Sequence, residues 1–293
     1  MALTLVEASK LSEDVLLKGV IETIIKDSPI LQKLPFIEVV GNSLKYNQEN
    51  QLPSVSFYSV GDTWAESTPT FTQKTATLTI LGGDADVDNY IKQTRSNIQD
   101  IEAAVIELKA KAIRYKFEDT FVNGDTTQDT KSFDGIAKLC DSNQVVSMGA
   151  NGGTLTLAKL DELFDKVQGG KPDILLMSRR SRRKLTDLMR SLGSVEYGVD
   201  EFGKPVQLYD GVPIAVNDWL SNSQTVGSST DCSTIYAFQT GEGATCGLQN
   251  KGIQVEKIGS LETKDATRIR VKWYVSLALF STVKLAKLTG VRD

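Results

Sequence analysis

The sequence predicts an α+β fold in which separate layers hang on one long helix. Three observations carry that prediction. Residues 94–123 contain no proline or glycine and place apolar residues at helical spacing. Residues 46–82 alternate with a period of two on either side of a polar centre, as an extended hairpin does. Residues 154–238 interleave helical stretches with short apolar strands, the pattern of a compact α/β layer.

Composition sets outer limits. A chain of 293 residues suffices for two domains or one large one. The 33 Lys and Arg against 37 Asp and Glu leave a net charge of −4. That balance speaks against binding nucleic acid by wrapping it in cations. No apolar run reaches the ~20 residues of a spanning helix, so no membrane partner is expected. The N-terminus lacks the charged-then-apolar layout of a secretory signal. Cys140, Cys232 and Cys246 are too few and too irregular for a disulfide framework or a zinc site, and they fit a reducing compartment. The chain has no histidine, which removes the commonest general base and metal ligand.

Residues 1–45 read as an N-terminal arm. Ser12-Glu13-Asp14 places acids at a helix start. Leu16, Val20 and Ile24, with Leu17, Ile21 and Ile25, form a broad apolar face, and Asp27-Ser28-Pro29 is expected to end that helix. Such a face must bury on its own domain or on a neighbouring subunit. In the hairpin, one limb is Leu52–Tyr58, and the return limb Lys74–Leu81 alternates Ala76, Leu78 and Ile80 with threonines. A two-stranded hairpin is marginal alone in water. A long one with the polar tip Gly61–Pro69 makes sense lying on another molecule; a pair of strands within a larger sheet is the competing reading.

Asp84, Asp86 and Asp88 begin like a calcium loop, but Asn89 and Arg95 stand where that loop needs Gly and Glu. The acids are expected to solvate a loop ahead of the long helix. Within the helix, Ile98, Ile101, Val105, Leu108, Ala112 and Tyr115 make one stripe. Ile106, Ile113, Phe117 and Phe121 make a second, offset from it. The helix should run ~40 Å at ~1.5 Å per residue and end in a left-handed cap at Asn123-Gly124-Asp125.

Phe133-Asp134-Gly135-Ile136 opens the second region. Thr154–Val167 predicts a helix with Leu160, Leu163, Phe164 and Val167 inward, ended by Gly169-Gly170. Pro172–Ser178 predicts a buried strand, after which Ser178 caps a helix over Arg179–Leu192. Leu208–Val216 gives a turn and a strand, and Ile235–Phe238 another strand. Near the end, Ile269, Val271, Trp273, Val275, Leu277 and Leu279 take one face of a long strand. That strand is expected to pair beside the hairpin strands and then cross into the α/β layer.

The motifs carry little chemistry. Gly198–Lys204 has phosphate-loop spacing, but Pro205 replaces the residue that would hold magnesium, and Asp200 and Glu201 would repel phosphates. Without histidine, no Ser or Cys triad of the common kind can form, and Cys246 reads as a packed thiol. No catalytic, cofactor-binding or metal-ligating residue is assigned, and an enzyme is not expected. Arg179, Arg180, Arg182, Arg183 and Lys184 crowd the first turns of a helix, the wrong end for its dipole. Three readings apply, in this order: a solvated face near carboxylates; a contact between subunits, which is the hypothesis to test; and contact with DNA.

The order of parts then carries a resemblance. An arm, a hairpin and a long helix ending in Phe121-Val122-Asn123-Gly124-Asp125 come first. Phe133–Ile136, Tyr209–Ile214 and the run Val271–Leu288 follow. Over essentially its whole length the chain resembles the major capsid proteins of tailed bacteriophages, with the HK97 fold. The resemblance implies an arm at 1–45 and an extended loop (E-loop) at 46–82. It implies a peripheral (P) domain from 83–133 and 251–281 around spine helix 94–123, and an axial (A) domain from 134–250 and 282–293. It implies copies that form pentamers and hexamers and close an icosahedral shell around the double-stranded DNA of a tailed phage. Portal, scaffolding and decoration proteins would be further partners, with DNA held without specific binding. The implied location is the virion, assembled in the host cytoplasm, with arm and E-loop lying across neighbours. Because the arm begins at Met1, scaffolding is expected to act in trans. Lys74 lies near the hairpin, but no motif marks it for the covalent crosslink of some members. The same fold also implies an alternative, an encapsulin-like compartment that holds proteins.

Overall fold

A computed structural model describes residues 28–51, 55–66, 68, 70–95, 101–193, 195–200 and 203–292. The apolar helix expected at 12–27 lies outside the described residues. Ser28 starts a helix: its hydroxyl accepts from the Leu31 N–H, and Pro29 opens helix α1 (Pro29–Lys33). Ile30, Leu31, Leu34 and Phe36 are buried in the main core. Strand β1 (Phe36–Glu38) pairs in parallel with Gly247–Gln249. Residues 28–39 are therefore not an arm. Four large apolar side chains in seven residues bury against their own sheet.

Strands β2 (Ser43–Gln51) and β3 (Thr70–Thr77) form a two-stranded ribbon. The ribbon starts earlier than the sequence suggests, and residues 55–58 of its expected first limb are irregular. The return limb divides at Leu78, whose N–H donates to the Asn42 carbonyl. Beyond it, β4 (Thr79–Asp88) joins a different sheet, so Ala76 is buried while Ile80 is exposed.

Helix α2 (Asn89–Arg95) precedes the spine, α3 (Ile101–Asn123). Its core face is Ile106, Ala110, Ile113, Phe117 and Phe121. Of the other stripe, Leu108 and Tyr115 face outward at 65% and 48% exposure, and Ile98 lies outside the described residues. Both stripes are apolar enough to bury; the one bearing two phenylalanines is the one that fills the layer. The Phe117 ring packs against those of Phe36 and Trp273, at centroid distances of 6.3 and 5.0 Å. The expected left-handed cap is absent: Gly124 is not among the positive-φ glycines, and its N–H still donates to the Thr120 carbonyl. Glycine is needed there for space, because a Cβ would run into the Phe133 and Thr120 carbonyls. The Gly135 N–H donates to the Gly124 carbonyl at 2.9 Å, which draws the two turns together.

Helix α4 (Ile136–Leu139) and a 3₁₀ turn at Ser142–Gln144 lead to β5 (Val145–Ser147) and β6 (Gly153–Thr154). Then follow α5 (Leu157–Lys166), β7 (Ile174–Met177) and α6 (Arg179–Ser191). Strands β8 (Glu196–Val199), β9 (Pro205–Tyr209) and β10 (Val212–Val216) come next. After them run β11 (Gln224–Val226), β12 (Ser229–Phe238), β13 (Thr245–Ser260), β14 (Ala266–Leu279) and β15 (Leu285–Arg292). Among the described residues, one sheet has the order β1-β13-β14-β4. A nine-stranded sheet has the order β5-β15-β12-β7-β10-β9-β8, with β6 and β11 at its side.

The α/β layer follows the sequence closely. Ser178 caps α6 by accepting from the Ser181 N–H, and β7 is buried throughout. Leu160 and Leu163 of α5 and Leu185 and Met189 of α6 fill one core against the large sheet. Asp210 and Gly211, with φ of 49° and 78°, make the tight turn between β9 and β10. The alternating residues of β14 from Ile269 to Leu279 are buried as a set. β14 pairs with β4 and β13, and the chain then enters the large sheet as β15.

Candidate functional site

Apolar side chains that the molecule leaves in water define the candidate site. The β2–β3 ribbon has no third strand among the described residues, so its backbone edges are open. Its root is fixed. The Tyr46 ring stands 4.9 Å from Phe280, and the Gln48 side-chain amide donates to the Leu279 carbonyl. Val39, Ala76, Leu248 and Ala278 close a small core beneath it. Burial raises the Tyr46 hydroxyl above its ordinary range, so it stays neutral.

The tip is shaped but uncovered. Tyr58 and Trp64 stack at 4.3 Å, and the Ala65 N–H donates to the Tyr58 hydroxyl at 3.2 Å. The Ser59 N–H donates to Asp62 Oδ2 at 2.6 Å. Around this clasp Val55, Phe57 and Val60 are fully exposed, and Trp64 largely so. Covering such a side chain stabilises by ~1.5–3 kcal/mol, so four together offer ~6–12 kcal/mol before the costs of ordering and association. The ribbon can thus grip a surface. The sequence located the hairpin, but it assigned the tip as polar and missed Phe57 and Trp64 as its exposed anchors.

Of the three aspartates ahead of the spine, Asp88 accepts from the Tyr90 and Ile91 N–H groups at the start of α2, and the other two do not solvate a loop. Asp84 and Asp86 lie on β4, opposite Arg270 and Arg268 of β14. Arg268 donates from Nε and Nη2 to Asp86 at 2.6 and 2.9 Å, and Arg270 does the same to Asp84 at 2.6 and 2.8 Å. The Arg268 hydrogen bonds hold the Asp86 carboxyl at about 2, and those from Arg270 keep Asp84 below its usual range. The acids form a cross-strand ladder because the antiparallel register sets each beside an arginine 182 or 186 residues away. Among the described residues no group of His, Cys, Asp or Glu is placed to hold a metal ion.

Past the spine, Lys138 Nζ lies 2.6 Å from Asp125 and 3.0 Å from Asp134. The Thr126 N–H donates to the same Asp134 at 2.8 Å. Hydrogen bonding by Lys138 draws the Asp125 carboxyl down to about 2. This knot fixes the exit from the spine into the α/β layer.

The arginine-rich helix divides. Arg179 pairs with Asp218 through two N–H groups, and Arg180 donates to the Asn222 and Asp231 carbonyls. No carboxylate among the described residues lies in ion-pair range of Arg182, Arg183, Lys184 or Arg190. These line a cleft of about 760 Å³ that also takes in Tyr197 and Gln207. The three thiols are free and buried, and burial pushes Cys140 to about 11 and Cys246 to about 12. The phosphate-loop spacing falls on the β8–β9 hairpin, where the Lys204 N–H donates to Asp200, instead of between a strand and a helix.

The family model described as SU10 major capsid protein matches residues 16–255. No curated protein matches the chain. Among solved structures, the holo-SrpI encapsulin complex from Synechococcus elongatus is similar with a TM-score of 0.72 at 20% identity, covering 99% of this chain and 96% of that one. The capsid of the native GTA particle is similar with a TM-score of 0.65 at 14% identity, covering 92% and 91%. The Mycobacterium phage Bobi structure gives 0.63 at 15% identity, covering 91% of each chain. These structures share the fold of the present chain.

Proposed function

This chain belongs to the SU10 major capsid protein family, and on that premise we propose that its copies close an icosahedral shell, through pentamers and hexamers, around the double-stranded DNA of a tailed phage. It is a shell-forming phage capsid protein and part of the virion. The observation that carries the reading is the ribbon: an open-edged pair of strands with Val55, Phe57, Val60 and Trp64 in water. A protein complete by itself has no use for that surface, whereas a neighbouring copy can bury it.

Within this proposal the β1-β13-β14-β4 sheet and the spine serve as the P-domain, the nine-stranded layer as the A-domain and the ribbon as the E-loop. Residues 28–39 pack in the body of this P-domain and not in an arm reaching a neighbour. The net charge of −4 suits a container whose wall must not hold the genome by its phosphates. Portal, scaffolding and decoration proteins would be further partners of such a shell, and the host cytoplasm is where it would assemble.

The test pairs microscopy with a double substitution. The purified chain should give uniform closed particles. Phe57→Ser with Trp64→Ser should leave a folded subunit that assembles at least about tenfold less well, a loss of ~1.4 kcal/mol or more per contact. Full assembly of that variant would refute the role given to the ribbon. The match over 99% of the chain to an encapsulin supports a second reading, a compartment for protein. Nuclease-protected DNA inside particles favours the phage shell, and a protein cargo favours the compartment.

A further inference from the structure

The nine-stranded layer carries unlike charge at its two edges. At the β8 edge stands the cleft of Arg182, Arg183, Lys184 and Arg190 on α6. At the opposite edge, where β5 ends the sheet, a second cleft of about 470 Å³ is lined by Asn143, Gln144, Glu162, Asp165, Lys166 and Gln168. Six strand spacings of ~4.8 Å set the two edges about 29 Å apart. Both helices pack on one face of the sheet, since Leu160 and Leu163 of α5 and Leu185 and Met189 of α6 share one core.

The second cleft leaves an acceptor without a donor. Gln144 is 7% exposed, and its Oε1 is buried with no hydrogen-bond partner. Such an orphaned acceptor costs ~1–3 kcal/mol. Asp165 has no cation in ion-pair range among the described residues. Glu162 is met by Lys159 at 2.6 Å on the exposed side, and Lys166 is turned to the Asn143 carbonyl at 3.3 Å. Two carboxylates and an amide oxygen make an acceptor set for a planar group with several N–H donors, which is a guanidinium.

We propose that the α6 arginines of one copy seat in the α5–Gln144 cleft of the next, so that copies join head to tail into a ring. The inference rests on the shell reading above and names the contact within its rings. A heterologous contact between two different patches closes into a ring when the rotation allows, whereas a two-fold contact would set like charges together. The layer holds each half of the pair at opposite edges, as a head-to-tail ring requires. Asp187 lies among the α6 cations and tempers their charge, while α6 keeps its anchors Ser181, Leu185 and Met189 buried.

The test reverses each half and then both. Arg182→Glu with Arg183→Glu, and separately Glu162→Arg with Asp165→Arg, should each cut shell yield at least about tenfold while circular dichroism and subunit Tm hold. That loss, ~1.4 kcal/mol per tenfold, lies within what close interfacial charge pairs supply. The four changes in one chain restore complementarity and should recover shells. Gln144→Leu removes the orphaned acceptor and should lower yield without lowering subunit Tm. Shells at normal yield from both reversed pairs overturn this inference alone. So does a fourfold variant that is folded but does not assemble. Normal shells with lost binding to short duplex DNA would assign the arginines to nucleic acid and also overturn it. Absence of particles from the unaltered chain overturns the shell reading, and the ring contact with it.

Discussion

Phe117→Ala tests which face of the spine is the core. Phe117 is fully buried, and its ring meets four others: Phe36 at 6.3 Å, Phe121 at 6.1 Å, Phe133 at 5.9 Å and Trp273 at 5.0 Å. A buried Phe→Ala change costs ~3–5 kcal/mol. The upper part of that range applies here, because the four partners sit on β1, α3, the loop after it and β14, and cannot all move inward to fill the gap. Each ring pair adds ~0.5–1.5 kcal/mol beyond area. A loss of ~4 kcal/mol at ~2–3 °C per kcal/mol lowers Tm by roughly 8–12 °C in a chain of this size. Leu108→Ala on the opposite face removes an exposed side chain and should cost no more than ~0.5 kcal/mol. Both are read by thermal and urea unfolding of dissociated subunits, so that assembly does not enter. If Leu108→Ala costs as much as Phe117→Ala, the stripe through Val105, Leu108 and Tyr115 faces the core and the assignment is wrong.

Gly135→Ala should destabilise by ~1–3 kcal/mol with an unchanged urea m-value. Its Cβ would stand 2.6 Å from the Thr120 carbonyl and 2.8 Å from that of Phe121; a neutral result would show that the spine's exit has slack. Acid should weaken the subunit through Asp86 and Asp125. Both fold with carboxyls at about 2, below the ordinary ~3.9. Their contribution is therefore complete above about pH 5 and is lost as pH falls toward 2. Asp86→Asn with Asp125→Asn should flatten the fall of Tm over that window, and an unchanged fall would remove these pairs as its cause. Cys140 and Cys246, raised to about 11 and about 12 by burial, should resist a thiol reagent at pH 8 and react once urea unfolds the chain. Rapid labelling of the native subunit would contradict their burial.

What the sequence made legible was local, and what it hid was contact across the chain. Ser178 could be read as a cap because a side chain bonding three residues ahead is written in consecutive letters. The alternation of β14 could be read because a half-buried strand repeats every two residues. The spine's helical spacing was equally plain, but its orientation was not. Val105, Leu108 and Tyr115 satisfy the same period as Ile106, Ile113 and Phe117, and only the partners Phe36 and Trp273, 81 residues before and 156 after Phe117, select between them. The Asp84–Arg270 and Asp86–Arg268 pairs failed for the same reason. Three alternating aspartates resemble a solvated loop until a strand 182 residues on supplies the arginines. At Leu78 the threonine alternation continues unbroken while the chain changes sheets, since a period of two records pleat and not partner. In the candidate site, the arginine cluster was visible as five cations in six residues, but its complement at Gln144 and Asp165 lay on separate elements with no shared motif.

The end of β14 is where these pieces meet. Leu279 accepts from Gln48 of the ribbon through its carbonyl, and Phe280 packs on Tyr46. The Phe280 N–H donates to the Ala244 carbonyl just before β13. Within five residues the chain becomes β15, inside the nine-stranded layer. The ribbon's direction is therefore set by the same short stretch that joins the two sheets. In the proposed shell, a neighbour holding the tip would work through a lever whose fulcrum is this junction. The outward ladder of Asp84, Asp86, Arg268 and Arg270 stiffens the strands on one side of it, and the core around Phe238 and Leu285 does so on the other. The ribbon proposed to hold other copies thus stands on a heavily paired junction, while Val55, Phe57, Val60 and Trp64 at its tip stay exposed.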